Sequence, residues 1–191
     1  MRFTEVHFFY ILHGLAWTIG LSALSFVLGG VGGFFLMLLR TSRISGIRWA
    51  AAAFMQVVQG VPVMILLILS YYGLGFAGVD VSPLVAAGIG MMLYASVYLG
   101  DIWRGSIESI PRTQWEAAEC LPLSRWQAMK LVVIPQAIRI SLPSTIGFLV
   151  QILKSTSLAS VVGFIELTRA GQLVNNSILK PFLIFALVGF F

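Results

Sequence analysis

Charged residues are scarce in this 191-residue sequence: they make up 10% of the chain, whereas 59% of the residues are apolar. Soluble globular proteins carry about 25% charged residues, because such residues cover the surface that faces water. Surface that faces lipid needs no such cover, so the composition excludes a soluble domain and indicates a membrane protein. A membrane-spanning helix takes about 20 residues, so several spans fill the chain and leave no room for a nucleotide-hydrolysing domain.

Reactive groups are equally scarce. The chain has one cysteine, Cys120, which excludes an internal disulfide framework. Its two histidines, His7 and His13, lack an acidic partner at ligand spacing, and there is no Gly-rich phosphate-binding loop followed by Lys. We therefore expect no metal, no catalytic site and no cofactor bound by this chain.

Long charge-free runs predict the membrane spans. They place four spans at residues 15–39, 55–77, 84–102 and 140–162 and an incomplete fifth at 181–191, all within a single domain 1–191. The fifth run is too short to cross a bilayer, so we expect a truncated helix. Glycines in the first run, among them Gly29 and Gly33, are typical of membrane helices that approach closely.

Basic residues predict which loops face the cytoplasm. The segments 40–48 and 104–139 hold eight of the twelve Lys and Arg residues. The positive-inside rule places both segments in the cytoplasm and the N-terminus outside. Because these residues lie at the ends of apolar runs, the net charge of +5 does not indicate a nucleic-acid partner.

The segment 104–139 is the long polar region and has the pattern of an ordered loop. Residues 113–116 and 124–127 both match a capping box, a helix-start signature in which two side chains satisfy backbone amides. Pro122 lies between them and cannot continue a helix. We expect two short helices joined by a turn. They could be a docking element, or an interfacial pair whose tryptophans lie among lipid headgroups.

The Glu-Ala-Ala motif at residues 116–118, followed by Ile134 and Pro135, resembles the cytoplasmic signature of inner-membrane permease subunits of ATP-binding-cassette importers. Further segments resemble those of the polar amino acid group, which takes up histidine, arginine, glutamine or glutamate. They are Gln59–Pro62, Tyr98–Ile107, Ile110–Arg112, Pro135–Arg139, Lys154–Ser160 and Glu166–Gly171. Each motif alone is weak, but this many in order, from Gly14 onward, is strong evidence.

The resemblance implies an all-α permease of the type I importer fold, with five transmembrane helices, in the cytoplasmic membrane. It also implies that the loop 104–139 fits a groove on a separate ATPase subunit, which binds ATP and Mg²⁺. The other implied partners are a second permease copy or paralogue, an extracytoplasmic amino acid binding protein and membrane lipid. The residues implied in coupling are Arg112, Trp115, Glu116, Ala117, Ala118, Pro122, Ile134 and Pro135. Glu116 could also act only within its capping box, and the two roles are compatible.

Two positions depart from the family pattern. Pro122 stands where the family has Gly, and its locked φ predicts a reshaped turn and weaker coupling than Gly would give. Asp101 stands where the subgroup usually has Glu. That difference shortens the side chain by one methylene group, and we expect little functional change.

Polar side chains inside the apolar runs are candidates for a substrate path. The set is Gln59, Asp101, Gln151, Lys154, Ser155 and Thr156. Lys154 is the one ionisable residue well inside a predicted span. It could instead extend to the membrane surface or pair with Asp101 or Glu166. Gln59, close to Pro62, could mark a helix break that faces a cavity, or only a proline kink.

Glu166 and Arg169 are three residues apart, as on one face of a helix. A short helix here would lie on the outer face, near the surface where a binding protein docks. An ordinary ion pair on a helix surface is the alternative.

An importer permease is the main hypothesis, and two alternatives stay open. An autonomous channel or secondary carrier would favour internal repeats with matching broken helices, which the sequence does not show. A non-functional, truncated permease copy would keep the fold and lose transport. Capture of an ATPase through the loop 104–139 would distinguish a permease from a channel.

Overall fold

The computed structural model describes residues 3–191 and shows an all-α protein over that range. The helices, in chain order, are α1 (Glu5–Arg40), α2 (Ser45–Gly60), α3 (Val63–Phe76), α4 (Pro83–Glu108), α5 (Arg112–Glu119), α6 (Arg125–Val162), α7 (Leu167–Ile178) and α8 (Pro181–Phe190). Helices α1, α4 and α6 are each long and apolar enough to cross a membrane, and α2 and α3 pass the same test as a bent pair. The predicted all-α membrane fold is confirmed.

Helix α1 extends well beyond the charge-free run that predicted it. It has 36 residues and begins at Glu5, ten residues before the predicted span 15–39. At 1.5 Å per residue it is about 54 Å long, against about 30 Å for the hydrocarbon core of a bilayer. Charge-free runs mark the stretch that suits lipid, whereas the backbone continues as helix through flanking polar residues. The predicted truncation of the last helix stays a prediction.

Helices α2 and α3 are separated by a sharp break at Val61 and Pro62. The two helices are bent by 100° relative to each other, so a simple proline kink is excluded. Val61 has φ −94° and ψ 126°, the extended geometry that the ring of a following proline imposes. Gln59 and Gly60 therefore end one helix, and Val63 begins the next.

Helix α6 is continuous from the polar loop into the fourth predicted span. A π-helical turn at Met129–Val133 lies immediately before Pro135. A proline in a regular helix lacks an N–H donor, and its ring collides with the carbonyl four residues earlier. The wider π turn relieves this conflict and lets the helix continue. The second helix of the polar loop and the fourth span are consequently one element.

Helices α1 and α4 pack with their backbones in contact. A Cβ atom at Gly33 would lie 2.9 Å from the amide nitrogen of Gly100 and 2.9 Å from the carbonyl oxygen of Ser96. A Cβ atom at Gly29 would overlap the side chain of Ala95. These neighbours are backbone atoms or a methyl group that cannot swing away, so the crossing requires small residues, as membrane helix pairs commonly do.

The main core lies where α1, α3, α4 and α6 meet. Its buried side chains are Leu21, Leu67, Ala87, Met91, Ala95, Leu99, Phe148, Ile152, Ala159, Val162 and Phe164. A smaller core joins α1 to α7 and α8 through Ile11, Leu167, Val174, Ile178 and Ile184. Many large apolar side chains outside these cores are exposed, as surface that faces lipid or a partner subunit requires.

The α1–α4 contact predicts that one added methyl group at Gly33 destabilises the fold. We expect Gly33→Ala to lower the free energy of unfolding by about 1–3 kcal/mol, because the added Cβ forces the two backbones apart. Thermal unfolding in detergent, followed by circular dichroism, measures this. Gly20→Ala is the matched control on the same helix, since a Cβ there meets no atom within 4 Å. Equal melting temperatures for the two variants would contradict the prediction.

Candidate functional site

The predicted coupling residues lie in α5, the following turn and the first part of α6. Helix α5 begins at Arg112 with Pro111 as its N-cap, and no side chain caps it. The predicted capping box at residues 113–116 is therefore wrong, because Thr113 already lies inside the helix. Pro111 starts the helix instead, since its fixed φ suits the residue before the first turn. Glu116 is exposed and has no capping role.

The second predicted capping box, at residues 124–127, is confirmed. The amide of Ser124 donates to Gln127 Oε1 at 2.8 Å, and the amide of Gln127 donates to Ser124 Oγ at 3.3 Å. These reciprocal bonds satisfy two amides at the start of α6. They fix the point at which the polar loop joins the long helix.

The turn between α5 and α6 is built around Pro122. The amide of Leu123 donates to the carbonyl of Leu121 at 2.6 Å, which closes a three-residue turn. This bonding pattern is that of an inverse γ-turn, whose central φ of about −75° is close to the value that proline adopts. No residue of the turn has a positive φ. The turn thus accommodates proline, and the predicted effect on coupling stays a prediction.

Helix α5 is fixed to the membrane helices by its inner face. Trp115 is half-buried and packs with buried Ile110 and Val133. Gln136 Nε2 on α6 donates to Gln114 Oε1 on α5 at 3.2 Å. Ala118 is buried, Ile134 is half-buried and Pro135 is exposed. These contacts fix the position of α5 relative to α4 and α6.

The outer face of this loop is free for a partner. Its exposed residues include Arg112, Glu116, Ala117, Cys120, Pro122 and Trp126. Trp126 is 69% exposed, whereas Trp115 packs inward. Together these exposed residues form what we term the docking face.

An open cavity of about 460 Å³ lies between α2, α4 and α6. Gln59, Tyr98, Asp101 and Ser144 contribute polar groups to its lining. Helix α2 ends one residue after Gln59, so the cavity lies beside the break between α2 and α3. The structure therefore brings together two of the candidate path residues, Gln59 and Asp101.

Asp101 is one member of a charged group at the end of α4. Its Oδ1 accepts a hydrogen bond from Arg104 Nη2 at 2.8 Å, and Arg104 also pairs with Glu108. The Asp101 side chain remains 44% exposed and so keeps acceptor capacity toward the cavity. The suggested pairing of Lys154 with Asp101 is wrong, because Arg104 occupies that role.

Three aromatic rings pack between α4 and α6, and one of them, Tyr98, also lines the cavity. Tyr94 and Tyr98 are one turn apart on α4, and each ring centroid lies 5.4 Å from that of Phe148 on α6. Gln151 and Ser155 on α6 lie close to the Tyr94 side chain. Along α4 and α6, the three rings lie between Asp101 and Ser144 of the cavity lining and a second polar group, the candidate residues Gln151 and Ser155.

The remaining candidates, Lys154 and Thr156, join neither group. Lys154 is exposed and lies in the last turn of the α-helical part of α6, where a positive charge suits the carbonyl end of a helix. Thr156 is buried, and its hydroxyl donates to the carbonyl of Leu153 at 2.7 Å. Thr156 thus has a local structural bond.

Glu166 is the N-cap of α7, not a member of a surface ion pair. Its carboxylate is 1% exposed and accepts hydrogen bonds from the amides of Thr168 and Arg169, at 2.8 and 2.7 Å. The amide of Leu167 donates to the hydroxyl of Thr18 on α1 at 3.1 Å. A carboxylate at this position also suits the helix dipole. The expected short helix is present, whereas the alternative of a surface ion pair with Arg169 and the suggested pairing with Lys154 are both wrong.

Tyr94 and Tyr98 are the functional candidates that sequence reasoning missed. They are four residues apart in a predicted span, a spacing that places both on one face of a helix. That spacing is the signal that could have identified them. Their contact with Phe148 depends on how α4 and α6 pack, which no local pattern encodes.

Comparison with known proteins gives consistent matches. The family profile described as "Binding-protein-dependent transport system inner membrane component" matches residues 29–191. A probable amino-acid ABC transporter permease of Bacillus subtilis is 35% identical over 167 residues, which are 87% of this chain and 74% of that protein. A glutamate transport system permease of Corynebacterium glutamicum is 33% identical over 187 residues, 94% of this chain and 68% of that protein.

Solved structures give the same result. The crystal structure of an amino acid ABC transporter with histidines matches with a TM-score of 0.90 at 28% identity, over 99% of this chain and 90% of that chain. An inward-facing MetNI methionine ABC transporter matches at 19% identity with a TM-score of 0.71, over 98% of this chain and 95% of that chain, which shows a shared fold.

The fold, the cavity and the docking face define a multi-pass membrane permease. The chain belongs to the family of inner-membrane components of binding-protein-dependent transport systems.

The turn at Pro122 allows a direct test of its effect on coupling. We expect Pro122→Gly to raise the amount of substrate transported per ATP hydrolysed in the assembled complex, because glycine gives the turn the backbone freedom that proline lacks. The measurement is the ratio of substrate transported to ATP hydrolysed in proteoliposomes. An unchanged or lower ratio, with the complex still assembled, would show that the γ-turn couples as well as a glycine turn.

Proposed function

We propose that this chain is the permease subunit of an ATP-binding-cassette importer that carries polar amino acids across the cytoplasmic membrane. The observation that carries the proposal is the rigid pair formed by α5 and the start of α6, fixed to the membrane helices and exposed on its outer face. The names of the relatives, which include amino-acid and glutamate permeases, support the substrate class.

The coupling route follows from the continuity of α6. The same helix carries the docking face at Trp126 and the cavity-lining Ser144, and then Phe148 of the aromatic cluster. A rotation imposed at the docking face would be transmitted along this one helix to Ser144 and Phe148. Movement of Phe148 against Tyr98 would then open or close the passage between the cavity and the deeper polar group.

The remaining parts of the importer belong to other chains in this proposal. ATP and Mg²⁺ are bound by a separate ATPase subunit, which docks on the cytoplasmic side where the basic loops lie. The N-terminus is outside, where a binding protein delivers the amino acid. A second permease copy or paralogue completes the path, and membrane lipid covers the exposed apolar surface.

The substrate would pass the polar groups in order of depth. The deeper group contains Gln151 and Ser155, with exposed Lys154 beside it as a cation for the α-carboxylate. The cavity group contains Gln59 and Asp101 and forms the cytoplasmic end of the path. Lys154 is the one cation of this set and is therefore the proposed partner of the α-carboxylate.

Docking can be tested through Glu116. We expect Glu116→Lys to abolish co-purification of an ATPase subunit, because it reverses the charge at the centre of the docking face. Cys120, the single cysteine, is exposed in the adjacent turn, so its maleimide labelling should be blocked by the docked ATPase. Glu5→Lys, an exposed carboxylate in the first turn of α1, is the matched control. Capture of no ATPase by the wild-type chain would contradict the proposal.

The path can be tested separately through Lys154. We expect Lys154→Gln to reduce amino acid uptake by the assembled complex at least several-fold, with ATPase docking unchanged, because the α-carboxylate loses its partner. Lys180→Gln removes an exposed lysine from outside the proposed path and should leave uptake unchanged. Full uptake by Lys154→Gln would remove Lys154 from the path and leave the docking proposal intact.

A further inference from the structure

A cleft of about 260 Å³ opens between α5 and the start of α6. Its lining is Arg43, Trp115, Ala118, Glu119, Leu123, Arg125, Ala128 and Met129. All of these residues except Arg43 come from the polar loop and the helix that follows it. Arg43 comes from residues 41–44, the connection between α1 and α2. The cleft is therefore the place where two separate loops combine into one surface.

The connection at residues 41–44 is held in place by its own hydrogen bonds. The amide of Thr41 donates back into the last turn of α1 at 3.0 Å, and the amide of Ile44 donates to Ser42 Oγ at 3.2 Å. Arg48 Nη1 reaches back from α2 and donates to the carbonyl of Ser42 at 3.1 Å. The backbone that carries Arg43 is consequently fixed before any partner arrives, which lowers the entropic cost of binding.

The other wall of the cleft is also fixed. Trp115 packs into the cluster that joins α5 to α4 and α6, and the Gln114–Gln136 hydrogen bond closes the same junction. The capping box at residues 124–127 fixes the start of α6, next to Arg125. The two arginines therefore flank a cleft with rigid walls and an apolar floor.

The cleft carries a surplus of positive charge. Arg43 and Arg125 are exposed, and within residues 3–191 neither takes part in an ion pair. Glu119 is the single carboxylate in the lining. Two guanidinium groups against one carboxylate suit an occupant that brings a further carboxylate, since a guanidinium binds that group through two parallel hydrogen bonds.

We propose that Arg43 and Arg125 form a second contact with the ATPase subunit, and that an acidic side chain of that subunit occupies the cleft. The inference rests on the proposed function, because it needs an ATPase that docks on this side. The walls of the cleft are the elements that carry the docking face, so the two surfaces are continuous. That continuity favours a protein partner over a lipid headgroup, and it makes the α1–α2 connection part of the coupling surface.

The test titrates the purified ATPase subunit, identified by the co-purification described above, against the full chain in phosphatidylcholine nanodiscs. We expect Arg43→Glu to weaken binding by about tenfold or more, because it places like charges together. Arg43→Lys, which keeps the charge, should cost about threefold or less, and the binding of Arg43→Glu should depend less on salt than that of the wild type. Lys130→Glu is the control, since Lys130 is exposed on α6 and does not line the cleft.

The outcomes separate this inference from the proposed function. If the wild-type chain binds the ATPase and Arg43→Glu binds it equally well, the cleft contact is wrong and the proposed function stands. If the wild type and Arg43→Glu bind the ATPase equally in phosphatidylcholine nanodiscs and differ only in nanodiscs that contain phosphatidylglycerol, the occupant is a lipid headgroup. That result would overturn the inference. Equal melting temperatures for the wild type and Arg43→Glu establish that a loss of binding is not a loss of folding.

Discussion

The backbone contact between α1 and α4 determines where the functional elements of this chain lie. Gly33 and Gly100 allow the two helices to touch, with a separation that leaves no room for a Cβ atom. Helix α1 ends at Arg40 and α4 ends at Glu108, and each leads into a loop that contributes to one cleft. A wider crossing would separate Arg43 from α5 and would also shift Asp101 and Tyr98, which lie on α4 beside the cavity.

Three prolines in the remaining elements are each associated with a different local backbone conformation. Pro62 forces Val61 into an extended conformation and breaks the α2–α3 pair, which ends α2 at the cavity. Pro135 is accommodated by a π turn, so α6 stays continuous. Pro122 closes a γ-turn between α5 and α6. The break between α2 and α3 ends α2 beside the cavity. The continuous helix α6 connects the cavity to the docking face.

Much of the fold could be predicted from the sequence because membrane helices leave a strong local signal. The charge-free runs predicted an all-α membrane protein, and the capping box at residues 124–127 predicted the start of α6. The capping box at residues 113–116 failed because Pro111 starts α5 first. The spacing of Glu166 and Arg169 predicted a short helix but left a surface ion pair as an alternative, because the burial of Glu166 against α1 depends on tertiary packing.

The candidate site could be predicted only in part, because it also depends on tertiary packing. Gln59 and Asp101 were both named as path candidates, but their common cavity exists only because α2 and α4 pack as they do. Arg43 belongs to none of the sequence motifs, and its position in the cleft depends on how α1 and α4 cross. Contacts between distant segments decide these features, and local spacing contains no information about them.

The central claim is that this chain couples ATP hydrolysis on a separate subunit to the movement of a polar amino acid. The most direct measurement reconstitutes the chain with its ATPase and binding protein in proteoliposomes and follows ATP hydrolysis and amino acid uptake together. The account predicts that both rise when the binding protein is loaded with its amino acid, and that uptake stops without ATP. Uptake that continues without ATP would contradict it and would indicate a channel or a secondary carrier.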